Sequence, residues 1–166
     1  MRVLLQRVSQ AKVIVEGQVR GEVGRGLLLL VAIAPDDTDL DLERMASKIV
    51  NLRIFEDDGG KMNRSALDEI GDERDASFGL LVVSQFTLYA DVRKGRRPSF
   101  VGAAPPGVAA PMIDRWAGML AAQGFRVEQG VFGADMAVHL INDGPVTLWL
   151  DSADLGYAAS IAREGR

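Results

Sequence analysis

The amino-acid sequence predicts an α+β domain, a mainly antiparallel sheet that curls toward a barrel and carries two principal helices. Three observations predict it. Apolar segments of strand length come in consecutive runs rather than in regular alternation with helices. Only two stretches change to helical spacing. The 166 residues show no repeat and no linker that would divide them, which fits one compact domain.

The elements follow in order. "RVLLQRVS" from Arg2, "AKVIVEG" from Ala11 and "GLLLLVAIA" from Gly26 read as three N-terminal strands, with turns supplied by "EGQVRGEVG" through Gly17, Gly21 and Gly24. In "APDDTDLDLERMASKIVNLRIF" the period changes. Leu42, Met45, Ala46, Ile49 and Leu52 recur at helical spacing, and Thr38 with Asp41 resembles a capping box with a shortened acid. "EDDGGKMNRSALDEIGDERDAS" is polar and turn-rich, a loop or a pair of short edge elements. "GLLVVSQFTLYA" is a central strand running into a polar end. "DVRKGRRPSFVGAAPPG" is an extended loop by its glycine and proline content. Met112, Ile113, Trp116, Met119 and Leu120 mark the second helix, where Pro111 fits only in a first turn. "FRVEQGVFG" and "DMAVHLINDGPVTLWLD" are the last strands. Gly144 and Pro145 interrupt the second of these, although proline cannot donate to a ladder and glycine weakens one.

Composition narrows the chemistry. The chain is 48% hydrophobic and 25% charged, enough to fill a core and carry a polar surface. The longest apolar run, Leu27 to Ala34, is far short of the ~18 residues a membrane helix needs. With no cysteine and one histidine, thiolate catalysis, disulfides and multi-histidine metal sites are excluded. A cytoplasmic protein without metal or other cofactor is expected. Net charge is −4, whereas proteins that coat nucleic acid are usually basic. A nucleic-acid partner must therefore be gripped locally.

Three stretches could carry chemistry. In "SQFTLYAD" a buried strand delivers Ser84, Gln85 and Thr87, whose hydroxyls and amide could bind a carbonyl or hydroxyl. A hydroxyl nucleophile needs a base. The one histidine, His139, alternates with Ala137 and Ile141 and reads better as structural. "VRKGRRPSF" concentrates Arg93, Lys94, Arg96 and Arg97 in an acidic chain, and such a loop suits phosphates. In "QGVFGADM", Phe132 could stack on a base while Gly133 and Ala134 leave backbone open to a ligand. For Phe132 and Met136, core packing is the simpler alternative.

Together these stretches resemble a known family. "SQFTL" at Ser84–Leu88 and "NDGPVT" at Asn142–Thr147 are similar to the two signature motifs of D-aminoacyl-tRNA deacylases. "KGRRPSF", "FGADM" and the opening "MRVLLQRVSQAKV" are similar to it as well. The match runs over about residues 1–152, leaving 153–166 as a tail. The resemblance implies a homodimer, acting on D-aminoacyl-tRNA, that hydrolyses the ester between a D-amino acid and the 3′-terminal adenosine. It implies that Ser84, Gln85, Phe86 and Thr87 hold the ester, with backbone N–H groups polarising its carbonyl. Phe132, Gly133, Ala134 and Met136 would hold the adenosine. Gly144 and Pro145, joined by a cis peptide, would reach into the partner's site and exclude L side chains, with Arg7 supporting that loop. Thr87 would position the ester while water attacks, assisted by the RNA's own 2′-hydroxyl. Glycine, having no side chain to exclude, is a possible further substrate. Two other readings are weighed: a module that binds an amino compound or RNA end without turnover, and a general esterase using Ser84 or Thr87 with His139.

Overall fold

The computed structural model describes residues 1–70 and 77–155. Its framework is a 14-residue strand, β1 (Arg2–Val15), where the sequence reads as two. The apparent break falls at Ser9 and Gln10, which are exposed. A strand this long can change partners along one edge. Arg2–Val8 pairs antiparallel with β3 (Gly26–Ala32). Ala11–Val15 pairs antiparallel with β2 (Gln18–Val23). The residues of β2 read in the sequence as turns; the turn proper is only Glu16 and Gly17, both with positive φ (51° and 76°). That pair of left-handed residues matches the twist of a two-residue hairpin. Along its other edge β1 pairs antiparallel with the last strand, β8 (Ala137–Asp151).

The sheet is mixed rather than mainly antiparallel. β3 pairs in parallel with β6 (Gly79–Ser84), and β6 in parallel with β7 (Val127–Gln129). The helices explain this. α1 (Asp39–Asn51) lies between β3 and β6 in the chain, and α3 (Pro106–Ala121) between β6 and β7. A helical crossover returns the chain to the end where it began, so the next strand runs parallel. β3 and β6 are buried on both faces. Leu27, Leu29, Leu80 and Val82 pack in the main core, while Leu28, Leu81 and Val83 pack in a second one. Hence their unbroken apolar runs.

Both predicted helices form. The Asp41 carboxylate accepts the Thr38 N–H at 2.8 Å, the acid half of the capping box. α1 buries Leu42, Met45, Ala46 and Ile49, and α3 buries Met112, Ile113, Trp116 and Leu120. The Trp116 indole N–H donates to the Leu42 carbonyl at 3.1 Å and locks the two together. Pro111 is not in the first turn, because α3 already begins at Pro106. Gly107, whose carbonyl loses its N–H partner to the proline, is exposed, so water can serve it. The polar stretch after α1 holds a small hairpin, β4 (Phe55–Glu56) with β5 (Met62–Arg64), and a short helix, α2 (Ala66–Ile70), that the sequence did not suggest. The rest of that stretch through residue 76, and the tail from residue 156, lie outside the described residues.

The sheet nearly closes on itself. β2 and β7 approach so closely that a Cβ on Gly21 would lie 2.8 Å from the Gln129 carbonyl oxygen. An Arg126 guanidinium bridges the same seam, donating to the Glu22 carbonyl at 3.0 Å. Gly21→Ala should therefore cost roughly 1–3 kcal/mol, as overpacking does. Gly118→Ala, on the exposed face of α3 with open space around it, should instead stabilise by about 0.5–1 kcal/mol. Urea unfolding of both variants checks the seam; equal midpoints for the two would contradict it.

Candidate active site

The parallel pair sets the site. β3 and β6 end side by side, with Val31 paired to Ser84. The ladder continues one residue further through Gln85 N–H, which donates to the Val31 carbonyl at 2.7 Å. There the chain leaves the sheet as a 3-10 turn, Phe86–Tyr89. A cavity of about 390 Å³ opens at this point, where parallel strands characteristically bind ligands. Ser84, Gln85 and Phe86 form one wall, Phe132 and Gly133 another, and Ile33, Ala109 and Ile113 the floor. Phe100 lies edge-on to Phe86, ring centroids 5.1 Å apart. Phe86 is itself 57% exposed, so an aromatic face stands open at the mouth.

Thr87 is exposed beside the cavity but not in its lining. Its hydroxyl accepts a hydrogen bond from the Gln85 side-chain amide. The turn's first bond runs from Leu88 N–H to the Gln85 carbonyl at 3.1 Å. The N–H groups of Phe86 and Thr87 precede it and have no acceptor among the described residues. His139 is elsewhere. It faces solvent on β8 and lines a separate groove with Lys12 and Glu22. Of the four residues expected at an adenosine, only Phe132 and Gly133 reach the cavity. Ala134 and Met136 pack against the second core. Alternation along "FGADM" does not reveal this split, because the chain there is a turn rather than a strand.

The interruption in β8 is a wide bulge. Gln6 pairs with Thr147 and Val8 with Asn142, so Asp143–Val146 oppose Arg7 alone. Arg7 is only 4% exposed. Its guanidinium donates to the Asp143 carbonyl at 3.2 Å and to the Ile54 carbonyl, and pairs with the Asp143 carboxylate at 3.1 Å. Asn142 closes the bulge from inside, donating to the Arg7 carbonyl at 2.9 Å and the Val146 carbonyl at 3.0 Å. Thr147 donates to Asn142 at 3.1 Å. Sequence reasoning chose Gly144 and Pro145 and passed over Asn142 and Thr147, although they bound the same quoted motif.

The expected cis bond is absent: the described residues contain no cis peptide, so Gly144–Pro145 is trans. Gly144 sits at φ +104°, a region glycine enters freely, and so turns the chain without a cis bond. Gly144 and Pro145 are outside the lining of the chain's own cavity.

The basic loop hangs from a narrow neck, Asp91 and Ser99 exchanging backbone hydrogen bonds of 2.7 and 2.9 Å. Arg93 is already paired within the loop. Its Nε and Nη2 donate to the Asp91 carboxylate at 2.9 and 2.7 Å, and its backbone N–H at 3.0 Å. Lys94, Arg96 and Arg97 are exposed and form no ion pair with a described residue.

Comparison with known proteins identifies the family. A family model described as D-Tyr-tRNA(Tyr) deacylase matches residues 4–151. The chain belongs to that family. A D-aminoacyl-tRNA deacylase of Thermomicrobium roseum is 59% identical over 155 residues, 93% of this chain and 96% of the relative. One of Thermotoga petrophila is 52% identical, covering 93% and 99%. Among solved structures, a c-Myc DNA unwinding element binding protein superposes with a TM-score of 0.81 at 39% identity, covering 91% of this chain and 98% of that one. A probable eukaryotic D-amino acid tRNA deacylase shares the fold, with a TM-score of 0.76 at 22% identity.

The Arg93 hydrogen bonds hold the Asp91 carboxyl well below the ordinary aspartate range. A depressed value means that the clamp is intact at neutral pH and is lost only as pH falls through that low value. NMR titration should therefore find Asp91 still ionised where other exposed aspartates protonate. In Arg93→Ala its midpoint should rise but stay below the ordinary aspartate value, because the backbone N–H of residue 93 still donates to the carboxylate.

Proposed function

We propose that the chain hydrolyses the ester between a D-amino acid and the 3′-terminal adenosine of tRNA, acting as a homodimer. The observation that carries this reading is the cavity itself, which joins Ser84–Phe86 to Phe132 and Gly133 in a chain of this family. The ester carbonyl lies against the turn. The unpaired N–H groups of Phe86 and Thr87 point to stabilisation of the oxyanion as water adds. Phe132, with Gly133 leaving backbone open, takes the adenosine. Collapse of the intermediate breaks the acyl C–O bond, releasing the amino acid and the 3′-hydroxyl.

No side chain at the cavity is suited to act as a base. His139 lines another groove. The Tyr89 hydroxyl is pushed above its ordinary value by burial and then by Asp37, so it stays protonated. The general-esterase reading therefore lacks its base. Position and electrostatics supply the catalysis, with water as nucleophile and the RNA's own 2′-hydroxyl assisting. Thr87 serves as a positioning group through Gln85.

Chirality is read by a second copy of the chain. Gly144 and Pro145 are exposed on β8, an edge strand that also presents Ile141 and Trp149, 53% and 49% exposed. An apolar, unpaired edge of this length is ordinarily covered. A partner seated there brings its bulge over this cavity, and the bulge's main chain collides with an L side chain. Selection by exclusion leaves the D side chain unread, so many D-residues and, to some extent, glycine are accepted. Lys94, Arg96 and Arg97 hold tRNA phosphates. A tRNA substrate places the protein in the cytoplasm.

Matched D- and L-Tyr-tRNA test the reading: the D ester should be cleaved and the L ester survive, and equal rates would refute it. Thr87→Ala should keep substantial activity and form no acyl-enzyme, since losing a covalent nucleophile costs several orders of magnitude. Neutralising Lys94, Arg96 and Arg97 should weaken tRNA binding and lower its salt slope by about one per cation. Arg93→Ala should leave most of that slope.

A further inference from the structure

One guanidinium that the proposed mechanism does not use converges on the turn that holds the ester. Arg2 opens β1. Its Nη1 donates to the Leu88 carbonyl at 2.9 Å, inside the turn Phe86–Tyr89. Its Nε donates to the Asp151 carboxylate on β8 at 2.7 Å. The same group lies over the Tyr89 ring, 4.3 Å from the centroid, and 5.5 Å from that of Trp149.

These contacts fall at the end of the turn. At its start the turn is anchored to the sheet by Gln85 N–H on the Val31 carbonyl. At its end, among the described residues, Arg2 is the donor that reaches the Leu88 carbonyl from outside the turn. An exposed ion pair adds little stability in itself, and Arg2 is 30% exposed. Direction is a different matter. A planar fork that spends one N–H on Asp151 and another on Leu88 fixes their separation, which a lysine ammonium on a flexible stem does not. Tyr89 and Trp149 confine the guanidinium plane from the sides.

We propose that Arg2 is a positioning residue for the reaction: it holds the Phe86–Tyr89 turn in register with β8 so that Gln85, Phe86 and Thr87 meet the ester. This rests on the deacylase reading for its catalytic consequence, but not for the tie itself. Arg2 touches neither the cavity nor the basic loop, so its loss should act on turnover rather than on tRNA binding. A misplacement of about 1 Å is enough to cost on the order of 100-fold in rate.

The test compares the full chain with Arg2→Met, which keeps an unbranched stem, and Arg2→Lys, which keeps the charge. Thermal unfolding first establishes that each is folded. In Arg2→Met, amide exchange at Leu88 and Ala90, whose N–H groups bond to the Gln85 and Thr87 carbonyls, should speed up by about ten-fold or more while the core strands stay protected. On D-Tyr-tRNA, kcat should fall roughly 10- to 100-fold with KM within about two-fold, and the preference for D over L should persist. Arg2→Lys should recover only part of both effects. A folded Arg2→Met with unchanged exchange and unchanged kcat overturns the proposal. So does a loss confined to KM, or full recovery by lysine. A parent chain inert on D-Tyr-tRNA would refute the deacylase reading, and the exchange measurement would still decide whether Arg2 holds the turn.

Discussion

The site depends on a buried charge. Arg7 is almost fully enclosed, and a guanidinium in that position is tolerable only if its donors are met. They are met by the Ile54 carbonyl before the small hairpin and by the backbone and carboxylate of Asp143. One side chain thus ties β1 to two separate parts of the chain. β8 cannot continue its ladder through the space that Arg7 occupies, so it bows outward as Asp143–Val146. Gly144 is required by the same packing, since a Cβ there would lie 2.3 Å from an Arg7 nitrogen. Asn142 then satisfies the main-chain carbonyls of Arg7 and Val146, and the Thr147 hydroxyl holds its side-chain amide in place. The result is a stiff projection of main chain on an otherwise regular edge strand.

The cavity has an independent origin. The crossover that carries α1 brings β3 and β6 together in parallel, and their aligned ends leave a space over which the turn Phe86–Tyr89 folds. Its apolar floor comes from the start of α3 and its aromatic mouth from Phe86, Phe100 and Phe132. Hydrophobic burial builds the pocket, and the turn supplies its polarity. The projection and the pocket are thus made by different parts of one fold, and a single chain does not bring them together. Dimerisation along β8 is the simplest way in which both could act on one substrate.

Much of this was legible in the sequence, and the failures have common causes. Both long helices follow from spacing in Leu42–Leu52 and Met112–Leu120. The strands of the two-sided core follow from their unbroken apolar runs. Direction did not follow: whether β6 runs with or against β3 depends on the crossover, which local pattern does not encode. The 14 residues of β1 looked like two strands because its bend exposes Ser9 and Gln10. Ser84, Gln85, Phe132 and Gly133 came together as the motifs suggested. Met136 did not, since a methionine in a core and one at a ligand look alike in sequence. Arg93 looked like a free cation because its partner, Asp91, is two residues away and pairing depends on a turn. The isomer of Gly144–Pro145 is likewise set by neighbours rather than by the dipeptide.

The projection of one chain and the cavity of another are proposed to make one active site. Complementation between two impaired chains tests it directly. One chain carries Gly144→Ala, which strikes at the bulge; the other carries Gln85→Ala with Phe86→Ala, which strikes at the cavity. Each is assayed alone and then as a purified mixed dimer bearing two different tags. If the site is shared, every mixed dimer holds one intact cavity facing one intact bulge, and about half the parental rate returns. Mixed dimers as inactive as either parent variant would show that bulge and cavity must belong to the same chain, and would rule out a shared site.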